Sequence, residues 1–134
     1  MERTQEGKRN LKVVTFMIAQ LLQIAKEKLA TVDDTVDVER LPAPQVTVLL
    51  TANNSVYVAV NDADGIICET MAEHQDTKVV RMLTMWKDGG VDLSSYRFRV
   101  ALVEMNACNT DTAIILQGEN GLHTKVLGVT ITPV

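Results

Sequence analysis

The stretch that decides the fold is residues 46–60, VTVLLTANNSVYVAV. Two runs rich in β-branched residues, 46–51 and 55–60, flank the tripeptide Ala52-Asn53-Asn54. β-Branched side chains favour extended backbone, and a short Asn-containing loop between two such runs is typical of a β-hairpin. The sequence therefore predicts an antiparallel hairpin here.

The chain that follows continues the β pattern. Asp62-Ala63-Asp64-Gly65 predicts a second turn, which leads into a third strand over 66–70. Near the end, the apolar runs 112–117 and 122–132 are joined through Glu119-Asn120-Gly121. Asn-Gly between two such runs is a strong hairpin signal, because both residues tolerate positive φ. We therefore predict a second hairpin at the end of the chain.

Two segments between these hairpins, 77–87 and 95–105, each fit both a helix and a strand. In both, the apolar residues match the helical period as well as strict alternation. We predict one helix and one strand between them and leave their order open.

The chain begins with a long amphipathic helix. Its core-facing stripe recurs at spacings of three and four and comprises Leu11, Val14, Ile18, Leu21, Leu22, Ala25 and Leu29. Four further apolar residues, Val13, Phe16, Met17 and Ile24, fall outside that stripe. Because a monomer seldom leaves such a patch exposed, these four residues predict an interface through 11–29 in a two-fold homodimer.

These elements add up to a single α+β domain over residues 1–134. The segment 31–45 combines acidic residues with two prolines and predicts an irregular connection. Elements that occur in runs indicate a mainly antiparallel sheet of about five or six strands. We expect the first helix to pack on this sheet and one further helix within 77–105.

Composition excludes several classes of protein. Thirteen basic and seventeen acidic residues give a net charge of -4, which argues against nucleic-acid binding. The uncharged run 13–25 is shorter than the about twenty residues that a transmembrane helix needs. Lys26-Glu27-Lys28 stands where a signal peptide would have its cleavage site, so a cytoplasmic protein without membrane contact is expected. Cys68 and Cys108 predict reduced thiols, with a disulfide or a cysteine nucleophile as the alternatives.

One acidic segment holds the best catalytic candidates by residue type. Glu73, His74 and Asp76 stand close together, and a histidine beside carboxylates can act as a general base near neutral pH. The alternative interpretation is an exposed polar turn. No His-x-x-x-His or Cys-x-x-Cys spacing occurs, so neither a metal site nor a cofactor is predicted.

The order of a leading helix, a β-hairpin and then Ala72-Glu73 before a possible helix resembles that of the cytidine deaminases. In that family a metal-binding His or Cys precedes the Ala-Glu pair, and Pro-Cys-x-x-Cys supplies the other ligands. Here Met71 takes the first position, and no second cysteine follows Cys108. The resemblance therefore implies the order of elements but not the metal-dependent reaction.

Aromatic residues are few, and three of them, Trp86, Tyr96 and Phe98, lie close together in the sequence. Trp86 and Tyr96 are candidates for a pocket wall, and Arg97 and Arg99 for anion contacts. Filling of the core and solvated surface charges are the alternative interpretations.

Three hypotheses follow for function. The first is a non-catalytic module that self-associates as a homodimer. The second is a small-molecule-binding domain with a pocket near Trp86 and Tyr96. The third is a small enzyme that uses Glu73, His74 and Asp76.

Overall fold

The computed structural model describes residues 18–34 and 41–132. Along the chain these form α1 (18–29), β1 (Gln45–Thr51), β2 (Val56–Val60), α2 (Ile67–Glu73), β3 (Val79–Trp86), β4 (Val91–Asp92), α3 (Tyr96–Met105), a 3₁₀ helix (Ala107–Asp111), β5 (Ala113–Gly118), β6 (Gly121–Val126) and α4 (Leu127–Ile131).

The strands form one six-stranded sheet in the order β2-β1-β3-β5-β6, with β4 paired to β3. β3 and β5 run parallel, and the other pairs described are antiparallel. The predicted α+β class and mainly antiparallel sheet are therefore confirmed, although the sheet is mixed.

The interior strand β1, between β2 and β3, is buried at all seven positions, because helices cover both faces of the sheet. On one face α1 packs Leu21, Ala25 and Leu29 against residues of β1, β3 and β5. We call this the first core. The described part of the predicted leading helix is confirmed, whereas 11–17 lie outside the described residues.

The second core lies on the opposite face, under α2, α3 and α4. Met71, Phe98, Leu102 and Leu127 pack there against strand residues such as Leu49, Met82 and Ile114. Helix α3 passes close to the backbone at Gly65. A Cβ atom added to Gly65 would lie 2.7 Å from the Cβ of Ala101. Any side chain at Gly65 would therefore push α3 away from the turn before α2.

Two predicted strands are wrong. Residues 66–70 belong mostly to α2, because the two carboxylate oxygens of Asp62 accept the backbone N–H groups of Ile66 and Ile67 at 2.9 Å each. Satisfying these donors starts a helix instead of closing a hairpin. The last strand ends at Val126, and 127–131 turn into α4, which buries Leu127 in the second core. Within residues 41–132, α3 is therefore the one helix predicted in 77–105, and α2, α4 and the 3₁₀ helix are additional to the prediction.

The open question between 77–87 and 95–105 is resolved as strand first and helix second. The Oγ of Ser95 accepts the N–H of Phe98 at 3.2 Å, which caps the start of α3. β3 instead pairs with β1 along its length and is buried at the sheet centre.

Both predicted hairpins are confirmed by their registers, β1 with β2 and β5 with β6. In the predicted connection, 31–34 and 41–44 have no helix or strand, and 35–40 lie outside the described residues. Within the described ranges, none of the helices combines the length and the hydropathy needed to traverse a lipid bilayer.

Candidate functional site

A row of buried polar residues crosses the sheet face that carries the second core. The register sets Gln45 opposite Trp86, and Thr47 opposite Thr84, on neighbouring strands. The two threonine hydroxyls are hydrogen-bonded at 2.8 Å in a buried position. One end of this otherwise apolar face is therefore polar.

The chain that leads into α3 covers this end of the face. Asp92 pairs with Thr84 at one side of β3, and the Oγ of Ser95 donates to the carbonyl of Ala63, which follows β2. Residues 93–95 must therefore pass over β3 and β1, which places the buried Ser94 above the sheet. We call Gln45, Thr47, Thr84 and Ser94 the polar row.

Two members of the polar row have unpaired polar atoms. Gln45 is 1% exposed and Ser94 is 3% exposed. Neither the amide nitrogen and oxygen of Gln45 nor the hydroxyl of Ser94 has a hydrogen-bond partner within the described chain. Each unpaired buried polar group costs about 1–3 kcal/mol, so apolar side chains would stabilise the fold better here.

A cavity of about 760 Å³ opens beside the polar row. Trp86, the register neighbour of Gln45, forms part of its wall, and Asp88 and Asp92 supply two carboxylates. The rest of the lining is Pro42, Gly90, Val91, Leu93, Gln117 and Gly118. We call this space the Trp86 cavity. A smaller cavity of about 530 Å³ shares Trp86 and Asp88 with it.

The turn geometry holds both carboxylates at the cavity wall. One Asp88 oxygen accepts the N–H of Gly90 at 2.7 Å, and one Asp92 oxygen accepts the N–H of Leu93 at 2.7 Å. An aromatic face with carboxylates beside it suits a ligand that carries a positive charge.

The other predicted ligand-binding residues do not share this cavity. Tyr96 and Arg97 border a separate cavity of about 400 Å³ along α3, where Arg97 pairs with Asp64 at 3.3 Å. Arg99 donates to the carbonyls of Ser94 and Thr130 at 3.2 and 2.8 Å. Burial lowers the pKa of Arg99, and its contacts tie the start of α3 to α4.

The predicted catalytic residues are only partly brought together. The Tyr57 hydroxyl lies 3.2 Å from an Asp76 oxygen, to which it donates, and 3.3 Å from the Nδ1 of His74. Glu73 is exposed at the end of α2 and takes no part in these hydrogen bonds. Tyr57 therefore contacts both His74 and Asp76, whereas Glu73 contacts neither of them through these hydrogen bonds.

Hydrogen bonds hold Asp76 in its charged form. Burial acts to raise the pKa of Asp76, but hydrogen bonds from Thr51, Ser55, Tyr57 and Asn53 outweigh it and lower that pKa. Burial and the neighbouring Asp76 raise the pKa of Tyr57. Asp76 thereby fastens the β1–β2 loop to the connection between α2 and β3.

Three of the residues that shape these sites are not predicted as site residues by the sequence. Gln45 comes just before the run that predicts β1, and for Tyr57 the pattern predicts a strand position and no further role. Asp92 was not singled out at all. The one signal in the sequence for Gln45 is a polar residue at a strand position that faces the core. The spacing of Tyr57 and Asp76 in the sequence does not indicate that they are in contact.

The two cysteines are not joined in a disulfide, and the surroundings of Cys68 disfavour nucleophilic chemistry. Both Cys68 and Cys108 are free thiols. Burial, with a contribution from the charge of Asp62, raises the pKa of Cys68 to about 11. Cys68 is therefore protonated at neutral pH and weakly nucleophilic.

Comparison with solved structures finds a shared fold. The chain is similar to the crystal structure of cytidine deaminase from Mycobacterium leprae, with a TM-score of 0.61 at 12% sequence identity, over 86% of this chain and 97% of that chain. At this identity the similarity shows the fold alone. No protein-family model matches the sequence, and no curated protein matches it.

The residues present do not fit the zinc site of such deaminases, which takes one His or Cys and two further Cys. The chain holds two Cys and two His, all of them within the described residues. No group of three His, Cys, Asp or Glu in the described ranges is placed to hold a metal ion. Ala72-Glu73 closes α2, and the Met71 before it is buried in the second core. The fold is therefore present without the ligands for this metal.

The predicted dimer interface is described at one position. Ile24 is half-buried and packs against the first core of its own chain. Val13, Phe16 and Met17 lie outside the described residues, so self-association through 11–29 stays a prediction.

Proposed function

We propose that this protein is a small-molecule-binding domain built on a deaminase fold, with the Trp86 cavity as its binding site. The observation that carries the proposal is the position of this cavity at the end of the polar row. Trp86 lines it, and the neighbouring Gln45 carries a buried amide that has no hydrogen-bond partner in the described part of the chain. Buried polar groups that do not serve packing are typical of sites kept for a ligand.

The lining favours an organic cation as ligand. The indole of Trp86 offers a face for a cation–π contact, and Asp88 and Asp92 add two negative charges at the same wall. Among the described residues, the lining of the Trp86 cavity includes neither a lysine nor an arginine. A ligand with a flat or apolar body and an amine or quaternary ammonium group would complement both features.

Fluorescence of the single tryptophan tests this proposal directly. The probes are a panel of aromatic amines and quaternary ammonium compounds, each paired with a neutral compound of the same shape. We expect one or more cations to change the Trp86 emission saturably while their neutral counterparts do not. A panel without any response from folded protein would contradict the proposal.

A matched pair of variants locates the binding. Asp92→Asn keeps the shape of the wall and removes one charge, so we expect about a tenfold weaker Kd for the best cation. Asp111→Asn removes an exposed carboxylate outside the Trp86 cavity and should leave the Kd unchanged. Equal effects of both substitutions would show that the affinity for the cation depends on the net charge of the protein and not on binding in this cavity.

A second candidate function is general acid–base catalysis by His74, Tyr57 and Asp76. The two Tyr57 contacts at 3.2 and 3.3 Å favour it, because they would hold a proton between histidine and carboxylate. The hydroxyl's alternative role is to support the β1–β2 loop. Tyr57→Phe distinguishes these two roles. If the hydroxyl takes part in catalysis, the variant loses activity; if it only supports the loop, the variant loses stability alone.

A further inference from the structure

Within residues 18–34 and 41–132, the sheet ends in two edge strands, β2 and β6, and the two differ in how they are protected. β6 carries His123, Lys125 and a leading glycine, Gly121. Charged residues on an edge strand oppose pairing with another chain. β2, by contrast, reads VYVAV and has neither a charge nor a proline. Of the two edges, β2 is the one that the sequence leaves unprotected.

The backbone of β2 presents three residues to its open side. Asn61 donates its N–H to the carbonyl of Gln45 at 2.9 Å, and Thr51 donates to the carbonyl of Ser55 at 2.9 Å. Residues at odd positions therefore bond to β1. Because direction alternates along an antiparallel strand, the N–H and C=O groups of the three valines in β2 point away from β1.

The same valines place their side chains on the face of the first core. Val58 packs against that core, whereas Val56 is 44% and Val60 is 38% exposed. A groove of about 310 Å³ follows this edge on the other face, between β2 and the start of α2, where Ile66 is 60% exposed. Apolar surface thus flanks the open edge on both faces.

We propose that a second copy of this chain pairs with β2 in antiparallel fashion, with the two-fold axis at Val58. In this register Val56 lies opposite Val60 of the partner subunit, and Val58 lies opposite its own copy. Each of the three pairs exchanges two hydrogen bonds, which gives about six between the chains. If the pairing of the two strands shifted by two residues, one valine of each strand would have no valine of the other strand opposite it. The strand is therefore complementary to itself in one register.

This interface is independent of the proposed ligand site, which lies at β3 and β4. It also involves no residue of 11–29. The test of this dimer is therefore independent of the proposed binding in the Trp86 cavity and of the predicted helix interface.

Sedimentation of the full chain over a range of low to high micromolar concentrations tests the proposal. We expect a reversible dimer. Val60→Lys puts one charge from each chain into the paired edge and should raise the dissociation constant at least about 30-fold, the change typical of a residue that contributes strongly to an interface. The matched control is Leu122→Lys on β6, where the leucine is 46% exposed, and it should leave the dimer unchanged.

A backbone variant and a local readout secure the interpretation. Val56→Pro removes an outward N–H without touching a bond to β1 and should weaken the dimer as Val60→Lys does. Amide exchange at Val56, Val58 and Val60 should slow as protein concentration rises. A monomer at every concentration would overturn the proposal, as would a dimer that Leu122→Lys disrupts and Val60→Lys does not.

Discussion

The two faces of the sheet use different physical means to hold their helices. The first core consists of apolar residues from α1 and the strands. The second core mixes apolar packing with the polar row and with buried Asn109 and Arg99. Apolar packing is tolerant of shape, whereas buried hydrogen bonds demand one geometry. The first face therefore supplies stability, and the second also specifies where α3 and the 3₁₀ helix must lie.

The largest test of this contrast is Asn109→Ala. Asn109 is fully buried, accepts the N–H of Val79 at 2.8 Å and donates to the carbonyls of Thr77 and Leu102 at 2.9 and 2.8 Å. Alanine would leave the Val79 N–H and the Thr77 carbonyl without the partner that Asn109 supplies, while the Leu102 carbonyl keeps the N–H of Asn106. We therefore expect a loss of about 3–5 kcal/mol in the free energy of unfolding. Urea denaturation measures this loss.

Two control substitutions accompany Asn109→Ala. Asn120→Ala changes an exposed turn residue and should stay within about 0.5 kcal/mol. Leu83→Ala in the first core should cost about 2–5 kcal/mol through the cavity it leaves. The contrast predicts that adding an apolar side chain in place of Asn109, as in Asn109→Leu, does not restore stability. Rescue by leucine would show that both faces depend on packing volume alone.

The same contrast explains what could be predicted from the sequence. The valine and leucine runs of β1 and β2 and the stripe of α1 follow apolar periodicity, and the two strands and the described part of the helix lie where the sequence predicts them. The start of α2 depends on Asp62 accepting two backbone N–H groups, a contact that short-range periodicity does not reveal. The contact of Tyr57 with Asp76 joins residues 19 positions apart, so only the folded register brings them together. Features made by apolar pattern were predictable, and features made by specific hydrogen bonds were not.

Asp76 gives a pH-dependent test on the second face. Its folded pKa lies below the unfolded value, so its contribution to stability is complete above the unfolded pKa of about 4 and is lost as pH falls through the folded pKa. Asp76→Asn should cost about 1.5–3 kcal/mol near neutral pH. It should also flatten the fall in unfolding free energy between about pH 5 and about pH 3.

The matched control for Asp76→Asn is Glu73→Gln, which removes an exposed carboxylate three positions earlier in the sequence. Thermal melts across that pH range should give a wild-type slope for Glu73→Gln. An equal flattening by both variants would mean that net charge, and not the hydrogen bonds to Asp76, sets the acid sensitivity.

The smallest expected effect runs in the opposite direction. Gln45→Met replaces a buried amide, for which residues 18–34 and 41–132 offer no hydrogen-bond partner, by an apolar side chain of similar size. We therefore expect the free energy of unfolding to rise by about 1–2 kcal/mol. Gln20→Met, at an exposed position of α1, should leave stability within about 0.5 kcal/mol. The same Gln45→Met variant should weaken the response of Trp86 to its cation, because stability and binding compete for this position. A variant that is less stable than the wild type would show that the amide of Gln45 is satisfied in solution, and the polar row would then belong to packing like the first core.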